Sequence, residues 1–320
     1  MNNYNWFEQQ LHRLALSSKF IRKASFDSES SIISAENGND NNIFISGLAR
    51  SGTTSLLYAV HRSDQFASLS YADMPFILAP NLWSKASFYK NDNVISERAH
   101  NDGIYISKTS PEAFEEIFWN TFDDKNKDSL KKFRIYVDLV KKRYKKQRYL
   151  SKNNQNIKRL GLIREQFPDS KILITFRNPI QHAYSLLTQH IKFINGSKKD
   201  KFIKDYMKWT GHTEFGPNYY PASNENLVHK NDLEIDHWLE QWLKVYKDIV
   251  RIKSNRNTLF ICYEKLCNEE EYWSNILESV EISHKYEYKF KESKKNIDIN
   301  VNQELLDMAV STYQELMNKN

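Results

Sequence analysis

Cysteine, glycine and proline are scarce in this chain: two, eight and seven of them in 320 residues. Two cysteines cannot build a disulfide framework. Cys262 and Cys267, with no histidine at metal-ligand spacing beside them, read as reduced thiols of a cytoplasmic protein. So few glycines exclude collagen-like and Gly-rich repeats. No run approaches the length of apolar sequence that would cross a bilayer, so no membrane span is expected. No signal peptide is expected at the start either, since Glu8, His12, Arg13 and Lys19 interrupt its apolar positions. The nine histidines are scattered without ligand spacing, and no metal site is expected.

What is present is a basic, aromatic-rich globular chain. Aromatic residues make up 13% and the formal net charge is +6. The positive surplus points to an anionic partner without naming it. Apolar spacing predicts an amphipathic helix over residues 4–22 and a polar loop over 25–42. Short apolar runs at 42–46, 66–69, 170–176 and 258–262 read as strands. Helices are expected after 53, over 130–148, 156–167, 179–195, 232–254, 269–280 and 303–317. Ser110-Pro111-Glu112 reads as the N-cap, first turn and acidic start of a helix running to Phe122. Strands alternating with helices argue for an α/β fold with a parallel central sheet flanked by helices. The expected organisation is one domain: a helix and loop over 1–41, a core over 42–266, and a helical segment over 267–320.

The most informative segment is Ile43-Phe-Ile-Ser-Gly-Leu-Ala-Arg-Ser-Gly-Thr-Thr-Ser55. Gly47 and Gly52 have P-loop spacing, between a predicted strand and a predicted helix. Such a loop aims backbone N–H groups and a helix N-terminus at one anion. Thr53, Thr54 and Ser55 add hydroxyls. A nucleoside triphosphatase would carry lysine after the second glycine, where this chain has Thr53; its loop cation is Arg50. A second anion motif, Arg177-Asn-Pro-Ile-Gln-His-Ala-Tyr-Ser185, follows the clearest predicted strand. Arg177 offers a fork of donors to a phosphate, Pro179 starts the helix, and Ser185 adds a hydroxyl on its second turn.

Taken together these segments resemble the sulfotransferases that use 3′-phosphoadenosine 5′-phosphosulfate (PAPS), in particular bacterial members with a P-loop-like fold. Arg50-Ser-Gly-Thr-Thr54 looks like the family's 5′-phosphosulfate loop and Arg177–Ser185 like its 3′-phosphate motif. The resemblance implies that Ser51, Gly52, Thr53, Thr54 and Ser55 hold the 5′-phosphate. It also implies that Arg50 lies beside the transferring sulfuryl group, and that Arg177 and Ser185 hold the 3′-phosphate. Tyr149–Asn154 is similar to the segment where many members carry a lysine near that group, which nominates Lys152. Ile261-Cys-Tyr-Glu-Lys-Leu266 resembles the Tyr-Glu-x-Leu common late in these enzymes, and Ser110–Trp119 is similar to a feature of bacterial members. The family transfers sulfate without a metal.

The general base is open at this stage. The family's small-molecule branch has a histidine two positions after the lysine, but here that residue is Asn154. Other branches use a carboxylate beyond the loop, for which Asp73 is the match. His100, beside Asp102, is the rival imidazole. The expected acceptor is a hydroxyl on a carbohydrate or small metabolite, with Ala79–Phe88 and Gly211–Asn226 as candidate walls. Two other readings are set against this one. A P-loop kinase or phosphotransferase would leave Arg177–Ser185 idle. Nucleic-acid binding would use the nine Lys and Arg of 141–159, which no acidic residue interrupts, but no nucleic-acid-binding motif accompanies them.

Overall fold

The computed structural model describes residues 5–31, 41–86, 96–97, 105–123, 127–197, 201–223, 226–284, 286–292 and 294–319. Seven strands are present among them: β1 Ile43–Ser46, β2 Phe66–Ala67, β3 Ser96–Glu97, β4 Tyr105–Ile106, β5 Arg148–Lys152, β6 Lys171–Phe176 and β7 Thr258–Cys262. Five of them form one sheet in the order β2-β5-β1-β6-β7, every pairing parallel. β3 and β4 make a separate antiparallel pair.

The strands are almost wholly buried because helices cover both faces of the sheet. Alternation along each strand sorts its side chains between two cores. Phe44, Tyr149, Ile172, Ile174, Phe176 and Phe260 enter the larger core. There they meet the helices Glu116–Phe122, Lys127–Tyr144, Pro179–Ser197, Ile235–Val250 and Gln303–Met317. Ile43, Ile45, Leu150, Leu173 and Ile261 enter the other, with the helices Thr53–His61 and Glu270–Ser279. None of the described helices is long and apolar enough to cross a membrane.

Several predicted elements are corrected. The helix expected over 4–22 is two, Trp6–Ser17 and Lys19–Ser30, because Ser18 leaves helical geometry and its hydroxyl caps the second at Ile21. The second therefore occupies part of the predicted loop. Residues 110–115 do not begin a helix. Pro111 bridges Ser70 and the Glu112 amide donates to Leu69 O, so the helix starts at Glu116. The helix predicted over 130–148 ends at Tyr144, after which Lys145 adopts φ 54° and the chain turns into β5. The lysines and arginines on both sides of that turn hid the change of period.

Candidate active site

Parallel strands put all their C-terminal ends on one edge, where α/β sheets bind ligands. Register fixes what meets there. Ile45 lies beside Lys152, Ser46 beside Ile174, and Phe176 beside Cys262. One or two residues further on, each strand delivers a polar group to the same edge. β1 leads to the 47–52 loop, β5 ends on Lys152, β6 leads to Arg177 and β7 to Tyr263.

The loop after β1 is held from below. Ser51 Oγ donates to Leu48 O at 2.7 Å and lies 2.6 Å from Thr175 Oγ1. Tyr246 Oη donates to Thr175 O at 2.8 Å and accepts from the Leu48 amide. Gly52 stands at the N-cap of the helix Thr53–His61 with φ 94° and no side chain hydrogen-bonds the helix start as a cap. Arg50 also has positive φ, 70°, a conformation that turns its backbone sharply within the loop. Its side chain crosses to the second anion motif, where Arg50 Nε donates to Ser185 Oγ at 3.3 Å. In return Arg177 Nη1 donates to Arg50 O at 3.5 Å. The 47–52 loop and the Arg177–Ser185 segment, 127 residues apart in sequence at these arginines, are in direct contact.

Around this contact the partners are ordered. The Asn178 amide donates to Glu264 Oε1 at 2.9 Å, and Arg177 Nε lies 4.0 Å from the same oxygen. The Arg177 guanidinium also sits 5.9 Å from the Tyr263 ring centre. Tyr263 Oη reaches Ser55 Oγ at 3.4 Å, closing the side of the helix start. Thr53 Oγ1 donates to Asn154 Oδ1 at 3.2 Å, which ties the helix start to the end of β5. Lys152 is buried.

His182, inside the Arg177–Ser185 segment, has a role that sequence did not assign. Its Nε2 is 2.7 Å from Ala49 O, bracing the loop from the helix Pro179–Ser197. Burial, reinforced by the charges of Arg177 and Arg50, lowers its pKa from 6.5 to about 3. The ring is therefore neutral in the folded chain at neutral pH, with Nε2–H as the donor. A depressed histidine pKa contributes stability above pH 6.5 that is lost progressively as pH falls toward 3. The expected result is a melting temperature that drops on acidification through this window. His182→Gln, which keeps a donor without a titration, should show a smaller drop between pH 7 and pH 5 in thermal melts.

His100 and Asp102 lie outside the described residues. Asp73 is 0% exposed, at the end of a short turn, Tyr71–Asp73, that follows β2. Its Oδ2 accepts from the Ser70 amide at 2.8 Å and from Tyr144 Oη at 2.5 Å, while Oδ1 faces Arg143 Nε at 3.5 Å. Burial raises its pKa, against the pull of the Tyr144 and Ser70 hydrogen bonds and the Arg143 charge. Its oxygens serve a capping box and a buried ion pair rather than the 47–52 loop.

Behind Lys152 sits a buried acidic pair from the segment thought similar to bacterial members. Glu115 accepts from Asn156 Nδ2 at 2.7 Å, Tyr149 Oη at 3.1 Å and Trp119 Nε1 at 3.2 Å. Glu116 takes two bonds from Arg159, each 2.8 Å, and one from Asn153 at 2.8 Å. This network fixes residues 151–159 from beneath, and with them Lys152 and Asn154.

The basic stretch 141–159 is engaged largely within the chain. Lys141 pairs with Asp138 at 2.8 Å, Lys146 with Asp64 at 2.8 Å, and Arg159 with Glu116. Arg148 donates to the carbonyls of Asn41 and Val280, each at 2.7 Å, over the Phe66 ring. Among the described residues no group of three or more His, Cys, Asp or Glu is arranged to hold a metal ion.

The pattern of the Sulfotransferase family matches residues 42–285, which includes the 47–52 loop, the Arg177–Ser185 segment, Lys152 and Tyr263. No curated protein matches the chain significantly. Among solved structures, the sulfotransferase STF1 of Mycobacterium tuberculosis H37Rv superposes with a TM-score of 0.49 at 10% identity, over 99% of this chain and 82% of that one. The sulfotransferase STF9 of Mycobacterium avium gives 0.49 at 12% identity, over 98% and 87%. The sulfotransferase domain from the curacin biosynthetic pathway gives 0.36 at 13% identity, over 79% and 76%.

Proposed function

This chain belongs to the sulfotransferase family, and on that premise we propose that it moves a sulfuryl group from PAPS to an acceptor hydroxyl on a carbohydrate or small metabolite. The observation that carries the donor assignment is the Arg50–Ser185 hydrogen bond, returned by Arg177 to the Arg50 carbonyl. A nucleoside phosphorylated at both the 3′ and 5′ positions needs two anion sites within the span of one sugar. Two motifs that each read as an anion site meet at that range here.

In this reading the amides and hydroxyls of Ser51, Gly52, Thr53, Thr54 and Ser55 hold the 5′-phosphate. Arg177 and Ser185 hold the 3′-phosphate, displacing the contact that Arg50 makes with Ser185. Arg50 then turns to the bridging oxygen, where negative charge accumulates as the S–O bond to the nucleotide breaks. Lys152 adds a second positive charge at that edge. Asp73 belongs to the scaffold in this assignment. Asp73→Asn should cost about 1–3 kcal/mol by leaving a buried hydrogen-bond set incomplete. Turnover of the folded fraction should stay near wild type; a collapse of kcat with an unchanged melting temperature would make Asp73 the base instead.

The reading is tested by incubating the chain with PAPS labelled at sulfur and panels of glycans, lipids and phenols. Transfer of label to a hydroxyl acceptor is the expected result. Label that no panel member receives, together with no binding of the bisphosphate product, would overturn it.

A further inference from the structure

The loop 211–216 was marked by sequence only as a turn-rich candidate wall, yet it carries an imidazole and a carboxylate to the same edge of the sheet. It is fixed at both ends. Gly211 adopts φ 78° with its backbone against Glu116 and Asn120, so close that a Cβ there would lie 2.5 Å from Glu116 Cγ. Glu116 is itself clamped by Arg159 and Asn153. At the other end the Gly216 amide donates to His190 Nδ1 at 3.2 Å. Between these anchors, Thr213 Oγ1 accepts from Gln155 Nε2 at 3.2 Å.

Glu214 is thereby brought to the phosphate loop. Asn154 Nδ2 donates to Glu214 Oε1 at 3.1 Å, and the Oδ1 of the same amide accepts from Thr53 at 3.2 Å. One side chain thus links the first residue of the phosphate-binding helix to the carboxylate. The other carboxylate oxygen, Oε2, faces His212 Nδ1 at 3.7 Å. That leaves Nε2 on the far side of a ring whose side chain is 29% exposed.

We infer that His212 is the general base of the transfer, with Glu214 as the residue that positions it; this rests on the PAPS reading above. The arrangement is a nucleophile-activating pair in which a half-buried carboxylate orients an imidazole. His212 Nε2 takes the proton of the acceptor hydroxyl. The acceptor oxygen forms the new S–O bond while the bond from sulfur to the bridging oxygen breaks. The electron pair of the broken bond stays on the 5′-phosphate, and the leaving group is the 3′,5′-bisphosphate nucleotide. The proton remains on the imidazolium, which Glu214 stabilises through Nδ1–H. Burial alone would raise the Glu214 pKa, but the neighbouring His212 and the charge of Lys152 hold it at about 2. The carboxylate is therefore anionic throughout the working range. The charged groups facing this pair are Lys152 from β5 and, beneath Gly211, the Glu116–Arg159 pair.

The test compares wild type, His212→Gln and Glu214→Gln in the slow hydrolysis of PAPS, where water is the acceptor, and in transfer to simple phenols. Nucleotide affinity is measured in parallel by titrating adenosine 3′,5′-bisphosphate. His212→Gln is expected to lower kcat by about 100-fold or more while the bisphosphate Kd stays within about three-fold. Glu214→Gln should lower kcat less while leaving the phenol KM and the bisphosphate Kd unchanged, and Glu214→Asp should recover part of the rate, a pattern confined to kcat that a merely structural role would not produce. A His212→Gln enzyme with the wild-type rate would overturn the base assignment and leave the donor reading standing. A wild-type chain that fails to bind the bisphosphate would overturn the donor reading itself, and the base assignment with it.

Discussion

Gly52→Ala is expected to abolish binding of the bisphosphate nucleotide and to lower the melting temperature together. Two costs combine at this position. An alanine at φ 94° is strained by roughly 1–2 kcal/mol, as left-handed geometry is for any residue with a Cβ. The new methyl would also lie 2.1 Å from Cδ2 of the Tyr263 ring, an overlap that only movement of the ring or loop can relieve. Forced repacking of this kind costs about 1–3 kcal/mol more. Any such movement disturbs the helix start, because Tyr263 Oη bonds Ser55 and the Thr53 hydroxyl bonds Asn154. An affinity loss of at least ~100-fold, equivalent to about 2.7 kcal/mol, is expected by calorimetry. Unchanged affinity with an unchanged melting temperature would show that the loop does not bind the nucleotide through this turn.

The second large effect is expected at Arg177 and concerns selectivity as much as affinity. Arg177→Ala should weaken binding of adenosine 3′,5′-bisphosphate by about 10- to 150-fold, the equivalent of one charge-assisted hydrogen-bonded contact of about 1.5–3 kcal/mol. Binding of the 5′-monophosphate, which has nothing for Arg177 to hold, should change little. The variant therefore loses the preference for a 3′-phosphate. Arg177 sits above the Tyr263 ring and beside Glu264, and the Asn178 amide continues to satisfy Glu264 when the guanidinium is gone. The fold should survive the change. Equal losses for both nucleotides would mean that Arg177 acts on the loop as a whole rather than on one phosphate.

The sheet and its two anion motifs were legible in the sequence for a physical reason. β1, β6 and β7 are buried on both faces, so they stand out as short apolar runs, and the loops after β1 and β6 carry glycine, arginine and proline at fixed offsets. β5 was not legible. It is bracketed by Arg148 and Lys152, and the Arg148 end has a tertiary explanation that no local pattern displays, the carbonyls of Asn41 and Val280. The surroundings of Asp73 were only half legible: the capping box with Ser70 is local, but the contacts with Tyr144 and Arg143 depend on packing between β2 and a helix 70 residues later. The His212–Glu214 pair was hidden because its partners, Asn154 and Lys152, lie about 60 residues away on β5 and the turn after it. The closest local sign was the spacing of Gly211 and Gly216 on either side of the two residues, which marked a bent loop without saying what it presents.

The most direct measurement is calorimetric titration of the chain with adenosine 3′,5′-bisphosphate, 5′-AMP and ATP, each with and without magnesium. The account predicts micromolar or tighter binding of the bisphosphate, independent of magnesium, and 5′-AMP weaker by about 100-fold, as one lost phosphate contact implies. Magnesium-dependent binding of ATP, with the bisphosphate no better than 5′-AMP, would contradict it.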